Sequence, residues 1–287
     1  MYVEKLQPPT ESKQKYPLVF MTGGSQTGTD IELFEHTGWA SYFLSLGYTV
    51  PSDGVVSITN VSFVQSYFTS VERFELWPQA HLHTQWPGTG ETGDQTFDAF
   101  FASEIQQQTN TTKAAINNVN ALVALLDKIG DAILISHSQA DPYGWGVGDR
   151  RPDPVKGIIA IEPEDPPFEN QITGTGPARP YGIATLPLKY DPPITDDDRS
   201  DCVVQQDPGK RLMNSARFPV LLYVSEASYH TYHNHCTLVF MAQAGMRVDY
   251  LELSEVGIHG NGHFSFMEKN NLRIAPLLNA WIQEVVH

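Results

Sequence analysis

Two apolar runs rich in β-forming residues lie near the middle of the chain, with room for one helix between them. The first, "AILIS", covers residues 132–136, and the second, "VKGIIAIE", covers residues 155–162. Residues 139–147 between them are predicted to be helical. Strand, helix and strand, with a further helix before them, form the pattern of a parallel sheet covered on both faces. The sequence therefore predicts an α/β fold with a mostly parallel, doubly wound sheet.

The same alternation extends the predicted sheet in both directions. Residues 16–20 read as a buried strand that runs into the glycine loop "MTGGSQTGTD", and "FPVLLYVS" and "VDYLELS" read as later strands. A helix over 39–46 and a strand over 48–50 are also expected. The stretch that follows, up to about Asp94, shows no regular period. Further predicted helices cover 97–126, ended by Gly130, then 234–244 and 271–286.

Prolines are dense between residues 163 and 216, in "PEDPPF", "GPARPYG", "LPLKYDPPITDDD" and "QQDPGKR". Because proline lacks an amide donor and has a fixed φ, this density argues against a long helix or a central strand. We interpret 163–216 as a cap inserted into an α/β core formed by residues 1–162 and 217–287. A chain of 287 residues is long enough to bury the core of one such domain.

Acidic residues outnumber basic ones by 33 to 18, which gives a formal charge of -15 with no basic stretch to offset it. Nucleic acids and anionic membrane surfaces are therefore poor partners. No apolar stretch approaches the roughly 20 residues that cross a bilayer, and the first residues lack the apolar segment of a signal peptide. We expect a soluble protein, cytoplasmic by preference, with a secreted mature form as the alternative.

The run "AILISHSQAD" ends in a motif that predicts a nucleophilic serine. A nucleophile at the tip of a parallel strand projects from a turn so tight that only small residues fit two positions before and after it. Ser136 and Ala140 are those small neighbours of Ser138. The frame differs from Gly-x-Ser-x-Gly at both ends. A strand that turns into a helix with Ser138 as its N-cap is the competing interpretation.

A serine hydroxyl needs a base within hydrogen-bonding reach. The segment "LELSEVGIHGNGHFSFMEKN" supplies His263 after the last predicted strand, and His259 is a competitor within the same loop. A loop histidine is more often a surface or structural residue. The chain order of serine and histidine nevertheless fits a doubly wound hydrolase, so His263 is the predicted general base.

Together these motifs resemble the α/β-hydrolase superfamily, and the resemblance runs from about Tyr16 to the end of the chain. "TGGSQTG" is similar to the His-Gly-Gly-Gly oxyanion loop, "SHSQA" to the nucleophile elbow, and "GNGHFSFMEKN" to the Gly-His-aromatic segment with its trailing glutamate. Phrases such as "RFELWPQAHLHTQWPGTG" and "SEASYHTYHNHC" further resemble a little-characterised branch of bacterial and fungal esterases.

Most members of that superfamily carry the triad acid after the strand that here ends "LLYVS", and Ser228 stands at that position. A serine cannot carry the negative charge that stabilises an imidazolium. Glu162, at the tip of the strand after the nucleophile, is the predicted acid, since a carboxylate that ends an apolar run is costly without a partner. Glu226, beside the position of Ser228, is the second candidate.

Acyl transfer builds an oxyanion that needs two backbone donors. The geometry of the elbow makes the N–H of Gln139 one donor. The second is expected from Gly24 or Ser25, where small residues let the backbone approach the substrate. Thr22 stands where many relatives carry histidine, which is a departure from the family pattern. An ordinary loop is the alternative, and a phosphate cradle would need a Gly-Lys-Ser ending.

A bulky, neutral and partly aromatic substrate is expected from the aromatic residues of the cap and the nearby loops. The predicted substrate contacts are His137, Trp86, Phe168, Tyr229 and His230. The histidines of "YHTYHNHC" match no familiar zinc spacing, so neither a metal nor a cofactor is expected. Cys202 and Cys236 leave one disulfide open, and a homodimer is also left open.

The sequence thus predicts a serine hydrolase that cleaves a carboxylic ester or a lactone, its small-molecule partner, through an acyl-enzyme. One alternative keeps the fold and changes the reaction to carbon–carbon bond hydrolysis, acyl transfer or a cyclisation. Another is a catalytically silent protein that keeps the pocket as a receptor for a small molecule.

Overall fold

A computed structural model describes residues 2–7, 14–26, 42, 45–46, 50–54, 60–104, 110–164, 166–169, 180–191, 205 and 209–286. The strands within these ranges are, in chain order, β1 (Tyr2–Leu6), β2 (Leu18–Met21), β3 (Val50–Gly54), β4 (Ala132–His137), β5 (Val155–Ile161), β6 (Tyr190–Asp191), β7 (Arg211–Leu212), β8 (Pro219–Val224) and β9 (Arg247–Glu252). The α-helices are α1 (Val61–Val64), α2 (Val71–Phe74), α3 (Gln95–Ser103), α4 (Thr111–Ile129), α5 (Asp141–Arg150), α6 (Asn234–Gln243) and α7 (Asn271–Val285).

Five parallel strands form the central sheet, in the order β2-β4-β5-β8-β9. β2, β4 and β8 are buried along their whole length, which explains why they read as continuous apolar runs rather than alternating ones. Side chains still alternate between the two faces. Leu134 and Ile158 belong to one apolar cluster, whereas Ile133 and Ile159 belong to the other. The sheet therefore has a hydrophobic core on each side.

Helices cover both faces of this sheet. Val119 of α4, Trp145 of α5 and Phe240 of α6 are buried in the cluster on one face, and Phe100 of α3 and Leu278 of α7 are buried in the cluster on the other. The doubly wound parallel sheet predicted from the sequence is confirmed. Its strands and the helices α6 and α7 end within a few residues of their predicted bounds.

Two helix predictions need correction. The single helix expected over 97–126 is two helices, α3 and α4, because the chain leaves the helical conformation at Glu104, where ψ is 136°. The helix expected over 139–147 begins as a short 3-10 turn, Ser138–Ala140, and continues as α5 to Arg150. α4 does end at Gly130, whose φ of 80° is a value that favours glycine.

The stretch before Asp94, which shows no regular period, is built from short pieces. α1 continues directly into a π-helical turn, Gln65–Thr69, and α2 and a 3-10 turn, Ala80–Leu82, follow. The helix expected over 39–46 and the strand expected over 48–50 fall mostly outside the described residues. No helix in the described ranges combines the length and the apolar character that a membrane span requires.

The described parts of the predicted cap pack against the core. Phe168, Ile183 and Leu212 are buried in the same cluster as α4, α5 and α6, and β6 and β7 form a small antiparallel pair. The division into a core and a cap stays a prediction. Cys236, near the start of α6, is disulfide-bonded, and Cys202 lies outside the described residues.

Candidate active site

Three segments of the candidate site leave the central sheet at one edge. Ser138 follows β4, Glu162 follows β5 and Ser225 follows β8, each directly after the last residue of its strand. These three strands are parallel neighbours. Their carboxyl ends therefore lie side by side, at the edge where open α/β sheets bind their ligands.

Ser138 stands on a sharp turn between β4 and α5. Its φ of 54° is a left-handed value that few residues other than glycine adopt. Ser136 occupies the position that is glycine in the usual motif, and its buried hydroxyl donates to the carboxylate of Asp141 at the start of α5. Ala140 is almost completely buried. The small neighbours thus let the turn form, and its backbone strain is of the kind that clusters at functional sites.

The imidazole of His263 contacts the carboxylate of Glu162. Nδ1 of His263 lies 3.3 Å from Oε2 of Glu162, and both side chains are almost completely buried. Because a carboxylate can only accept, Nδ1 carries the proton and Nε2 is left as an acceptor. Glu162 itself has a φ of 53°. The residue that contacts the imidazole thus also has a strained backbone, as Ser138 does.

Two serines also hold the Glu162 carboxylate. The Ser225 N–H donates to Oε1 at 2.6 Å, and the Ser228 hydroxyl donates to Oε2. Burial raises the pKa of Glu162, and these hydrogen bonds oppose the shift because they stabilise the ionised form. Burial lowers the pKa of His263, so its imidazole is neutral at rest. The pKa of Glu162 stays raised, at about 8, so its carboxyl ionises as the pH rises toward that value, and the ionised form is the one that holds the Nδ1 proton of His263.

The competing residues from the sequence lie together, away from this contact. Oε1 of Glu226 lies 2.9 Å from Nδ1 of His259, and Oε2 accepts the N–H of Gly260 at 2.8 Å. His259 is largely exposed. The structure therefore brings Glu162, and not Glu226, to the imidazole of His263, while Glu226 pairs with the competing histidine.

His137, the residue before Ser138, joins three parts of the site. Its Nε2 lies 3.0 Å from the main-chain oxygen of His263, so Nε2 carries the proton and Nδ1 accepts. Burial, followed by the nearby His263, lowers the pKa of His137 and keeps the ring neutral. Nδ1 lies 3.0 Å from the side-chain oxygen Oε1 of Gln26. Since both atoms are acceptors with this tautomer, we assign the Gln26 amide in the flipped orientation, in which its N–H donates to Nδ1.

The other ring nitrogen of His263 faces a tyrosine. The Tyr229 hydroxyl lies 3.4 Å from Nε2 of His263, which is long for a hydrogen bond to nitrogen. The contacts of the described residues do not include a hydrogen bond from Ser138 to Nε2. The ring of His137, the residue directly before Ser138, lies 4.4 Å from the ring of His263.

Aromatic side chains cover His263 on the side of Tyr229. The Phe68 ring stacks on the imidazole with centroids 5.1 Å apart and planes 25° apart. Tyr67 and Trp77 meet Tyr229 edge to face at 5.9 and 5.8 Å, and the Trp77 indole donates to the main-chain oxygen of Ala227. We call Tyr67, Phe68, Trp77 and Tyr229 the aromatic wall.

The loop after β2 lies against the turn at Ser138. A Cβ atom at Gly23 would stand 2.8 Å from Nδ1 of His137 and 3.1 Å from Cβ of Ser138, so glycine is required for this approach. Gly24 and Ser25 follow, and Ser25 has a φ of 61° and is buried. The loop expected to supply an oxyanion donor therefore lies beside the candidate nucleophile.

Glu162, His230 and His263 offer ligand atoms within 4.8 Å of one another, and all three are buried. Two imidazoles and a carboxylate are a donor set that zinc accepts. Here, however, Oε2 of Glu162 already accepts from Ser228 and faces Nδ1 of His263. Glu162 and His263 are therefore already engaged with each other, and Nδ1 of His230 lies 3.2 Å from Nε2 of His233.

Comparison with known proteins relates this geometry to a family. The sequence is 43% identical over 314 residues to a probable secreted lipase, phiG, of Fungal sp. (strain ATCC 74256), in a match that covers 99% of this chain and 86% of that protein. The chain belongs to the α/β-hydrolase superfamily, among its lipases and esterases. No family model matches the sequence.

Solved structures agree on the α/β-hydrolase fold. A novel bacterial esterase superposes with a TM-score of 0.62 at 19% identity, over 100% of this chain and 86% of its own. A carboxylesterase of the thaumarchaeon Nitrososphaera gargenis superposes with a TM-score of 0.52 at 10% identity, over 98% of this chain and 93% of its own. The turn at Ser138 is the one that the sequence motif predicts to be the nucleophile elbow of this superfamily.

The structure places two of the expected substrate contacts in the core and two beside His263. Trp86 is 4% exposed and meets Phe100 edge to face, and Phe168 is 3% exposed and meets Phe240 in the same way. Tyr229 and His230 instead have rings 5.0 Å from the ring of His263. Trp86 and Phe168 thus pack as core residues in this α/β-hydrolase.

Several residues of the site were not predicted from the sequence. Three members of the aromatic wall, Tyr67, Phe68 and Trp77, come from the segment 61–77, where the aromatic density of "SFVQSYFTSVERFELW" was the available signal. Its residues follow neither a helical nor a strand period, because the π-helical turn shifts them around the axis. Ser225 and Gln26 were also missed, since their roles depend on contacts between distant parts of the chain.

Proposed function

We propose that this protein is a serine hydrolase that cleaves a carboxylic ester or lactone of a bulky, neutral substrate through an acyl-enzyme. The observation that carries the proposal is the contact between His263 and Glu162 at the strand edge where the strained turn presents Ser138. A nucleophile on an elbow, a neutral imidazole and a carboxylate on the far ring nitrogen form the three parts of such a site.

In the first step, the Ser138 oxygen attacks the ester carbonyl and its proton passes to Nε2 of His263. Glu162 keeps Nδ1 protonated and stabilises the imidazolium. The imidazolium then gives the proton to the departing alcohol, which leaves the acyl group on Ser138. A water molecule repeats the sequence with His263 as base, releases the acid and restores the serine. The Tyr229 hydroxyl moves off Nε2 for the first step.

The negative charge on the carbonyl oxygen needs donors in both tetrahedral steps. We assign these to the N–H of Gln139, at the start of the helix after the elbow, and to a main-chain N–H of Gly24 or Ser25. The close approach of Gly23 to Ser138 supports this assignment. Gln26, hydrogen-bonded to His137, holds the loop against the same strand end.

The aromatic wall is the proposed contact surface for the apolar part of the substrate, together with His230; the rings of Tyr229 and His230 are each 5.0 Å from the imidazole of His263. Aromatic faces accept bulky apolar groups, and the formal charge of -15 disfavours anionic substrates. The name of the fungal relative describes a lipase. Esters with a large apolar acyl or alcohol part are therefore the proposed substrate class.

Of the two expected locations, we propose the secreted one. The name of the fungal relative describes a secreted protein, and Cys236 is disulfide-bonded. Disulfides persist in oxidising compartments and are rare in the cytosol.

A panel of p-nitrophenyl esters of increasing acyl length, with aryl lactones, tests the proposal. Wild type should hydrolyse the larger neutral esters best, and Ser138→Ala should lose activity by at least about 10³-fold. Ser254→Ala, a serine outside the site, is the matched control and should behave as wild type. Equal activity of Ser138→Ala and wild type would reject the proposal. A catalytically silent receptor would show no turnover of any ester, either as wild type or as Ser138→Ala. That outcome would also reject the proposal.

A further inference from the structure

A second buried histidine–glutamate pair lies behind the loop that carries His263. Nε2 of His83 lies 2.7 Å from Oε1 of Glu268, and both side chains are almost completely buried. Nδ1 of His83 lies 3.0 Å from Oε2 of Glu72 in α2, whose side chain is about one-third exposed. The ring therefore stands between two carboxylates, one buried and one near the surface.

Glu268 connects this pair to the backbone next to His263. Its carboxylate accepts the N–H of Gly262 at 3.0 Å and the side-chain amide of Asn261 at 2.7 Å. Gly262 directly precedes His263. One buried side chain thus fixes both residues before the proposed base.

The segment around His83 docks on the same loop through its backbone. The N–H groups of Thr84 and Gln85 both donate to the main-chain oxygen of Gly260, at 2.9 and 3.2 Å. Lys269 completes the contact, because its N–H donates to the Gln85 oxygen and its ammonium to the Thr84 oxygen. Residues 83–85 and 260–269 therefore form one connected unit.

The charge state of the pair follows from its surroundings. Glu268 accepts three different donors, which suits an ionised carboxylate. Burial lowers the pKa of His83, but its hydrogen bonds to Glu268 and Glu72 outweigh burial and raise the pKa to about 9. His83 is thus cationic at neutral pH, whereas burial keeps His263 neutral. Of the nearby cations, Arg73 pairs with Glu91 at 2.6 Å and approaches Glu72 at 4.0 Å, and the Lys269 ammonium donates to the Thr84 oxygen.

The backbone at Gly262, directly before His263, packs tightly against the His83–Glu268 pair. A Cβ atom at Gly262 would lie 3.0 Å from Nε2 of His83 and 3.3 Å from Oε1 of Glu268. Glycine therefore lets the backbone of the loop rest directly on the ion pair. A shift of either side chain would be passed to the backbone of His263.

We propose that His83 and Glu268 are positioning residues for the reaction, acting as a buried ion pair that fixes the backbone before His263 so that its imidazole stays on Glu162. The proposal rests on the proposed serine-hydrolase function. It adds residues that touch neither the substrate nor the reacting atoms. Misplacement of a catalytic group by about 1 Å can lower a rate about 100-fold, so loss of the pair should act on the chemical step.

The test compares kcat, KM and the rate of fluorophosphonate labelling for His83→Gln and Glu268→Gln. Both should lower kcat and the labelling rate by about 10- to 100-fold, with KM within about twofold of wild type. His81→Gln makes the same substitution at an exposed residue of the same segment, and Glu255→Gln does so at an exposed glutamate before the loop. Both controls should keep the values of wild type.

A merely structural role would lower thermal stability and leave kcat of the folded fraction intact. Folded variants with wild-type kcat would therefore overturn the proposal. If neither variant folds, the wild type supplies the test. Its labelling rate should fall at alkaline pH as His83 loses its charge, and Glu72→Gln, which removes one of the two carboxylates that raise the pKa of His83, should move this fall to lower pH. The same pH dependence of labelling in wild type and Glu72→Gln overturns the proposal. Activity retained by Ser138→Ala would instead reject the underlying function.

Discussion

The Ser228 hydroxyl donates a hydrogen bond to Oε2 of Glu162, the same oxygen that lies 3.3 Å from Nδ1 of His263. Ser228 stands at the position where most α/β-hydrolases carry the acid of the triad. In this chain the neighbouring strand β5 delivers the carboxylate, and the serine at the usual position has become one of its donors. We therefore propose that Glu162 after β5 acts as the acid of the triad in place of a residue at position 228.

Glu162→Gln should lower kcat by roughly 10³- to 10⁴-fold. The amide would donate to Nδ1 of His263 and force the proton onto Nε2, which could then not accept the proton of Ser138. Steady-state hydrolysis of a p-nitrophenyl ester measures the effect. Glu226→Gln, the matched control, should change kcat by less than about threefold. The opposite ranking of these two variants would contradict the assignment of the acid.

A carboxylate at the usual position should rescue the loss of Glu162. The double variant Glu162→Ala/Ser228→Asp places a carboxylate at position 228, where the wild-type serine already donates to the Glu162 carboxylate. The double variant should be at least about tenfold more active than Glu162→Ala alone. Activities measured as kcat/KM on one ester, with Ser228→Asp as the remaining corner of the cycle, decide the outcome. No gain over Glu162→Ala would show that the two positions are not interchangeable.

Activity and stability should change in opposite directions with pH. Burial raises the pKa of Glu162 from its ordinary value of 4.5 to about 8, and the site needs the ionised form, so kcat/KM should rise as the pH increases from about 4.5 to about 8. A raised pKa in the folded state stabilises the protein at low pH, and this contribution is lost as the pH rises through the folded value. The melting temperature should therefore fall over the same range.

Glu162→Gln isolates that contribution, because a glutamine does not titrate. The fall in melting temperature over this pH range should be smaller in Glu162→Gln than in wild type. Identical pH dependence of the melting temperature in the two proteins would contradict a raised pKa at Glu162.

Tyr229→Phe should leave kcat/KM unchanged or higher. The hydroxyl occupies the space at Nε2 of His263 at 3.4 Å, where the proton of Ser138 must arrive, while the ring belongs to the aromatic wall and is kept in phenylalanine. Hydrolysis of a small and a large ester measures both roles. A loss of more than about tenfold on both esters would show that the hydroxyl takes part in the chemistry.

The sequence predicts best what depends on neighbours along the chain. The strands of the sheet, α6 and the turn at Ser138 follow from local periods and small residues, and Glu162 stands out because it ends an apolar strand. Features that depend on contacts between distant parts of the chain could not be predicted from the sequence. Trp86 and Phe168 have the composition of a substrate pocket but pack in the core, and tertiary packing decides between the two.

The pair His83–Glu268 shows the same limit more sharply. Its residues are 185 positions apart, and neither lies in a motif that assigns a role. His83 stands in an aromatic loop, and Glu268 is the glutamate that trails the base segment. The fold brings them together through backbone hydrogen bonds of residues 84–85 and 260, which no local pattern specifies.

Mass spectrometry of the intact protein after reaction with a fluorophosphonate, followed by peptide mapping, tests the central claim most directly. The account predicts one adduct per chain, on the hydroxyl of Ser138, with no adduct in Ser138→Ala and much slower labelling in His263→Ala. An adduct on another residue, or ester turnover by a protein that the reagent leaves unmodified and fully active, would contradict it.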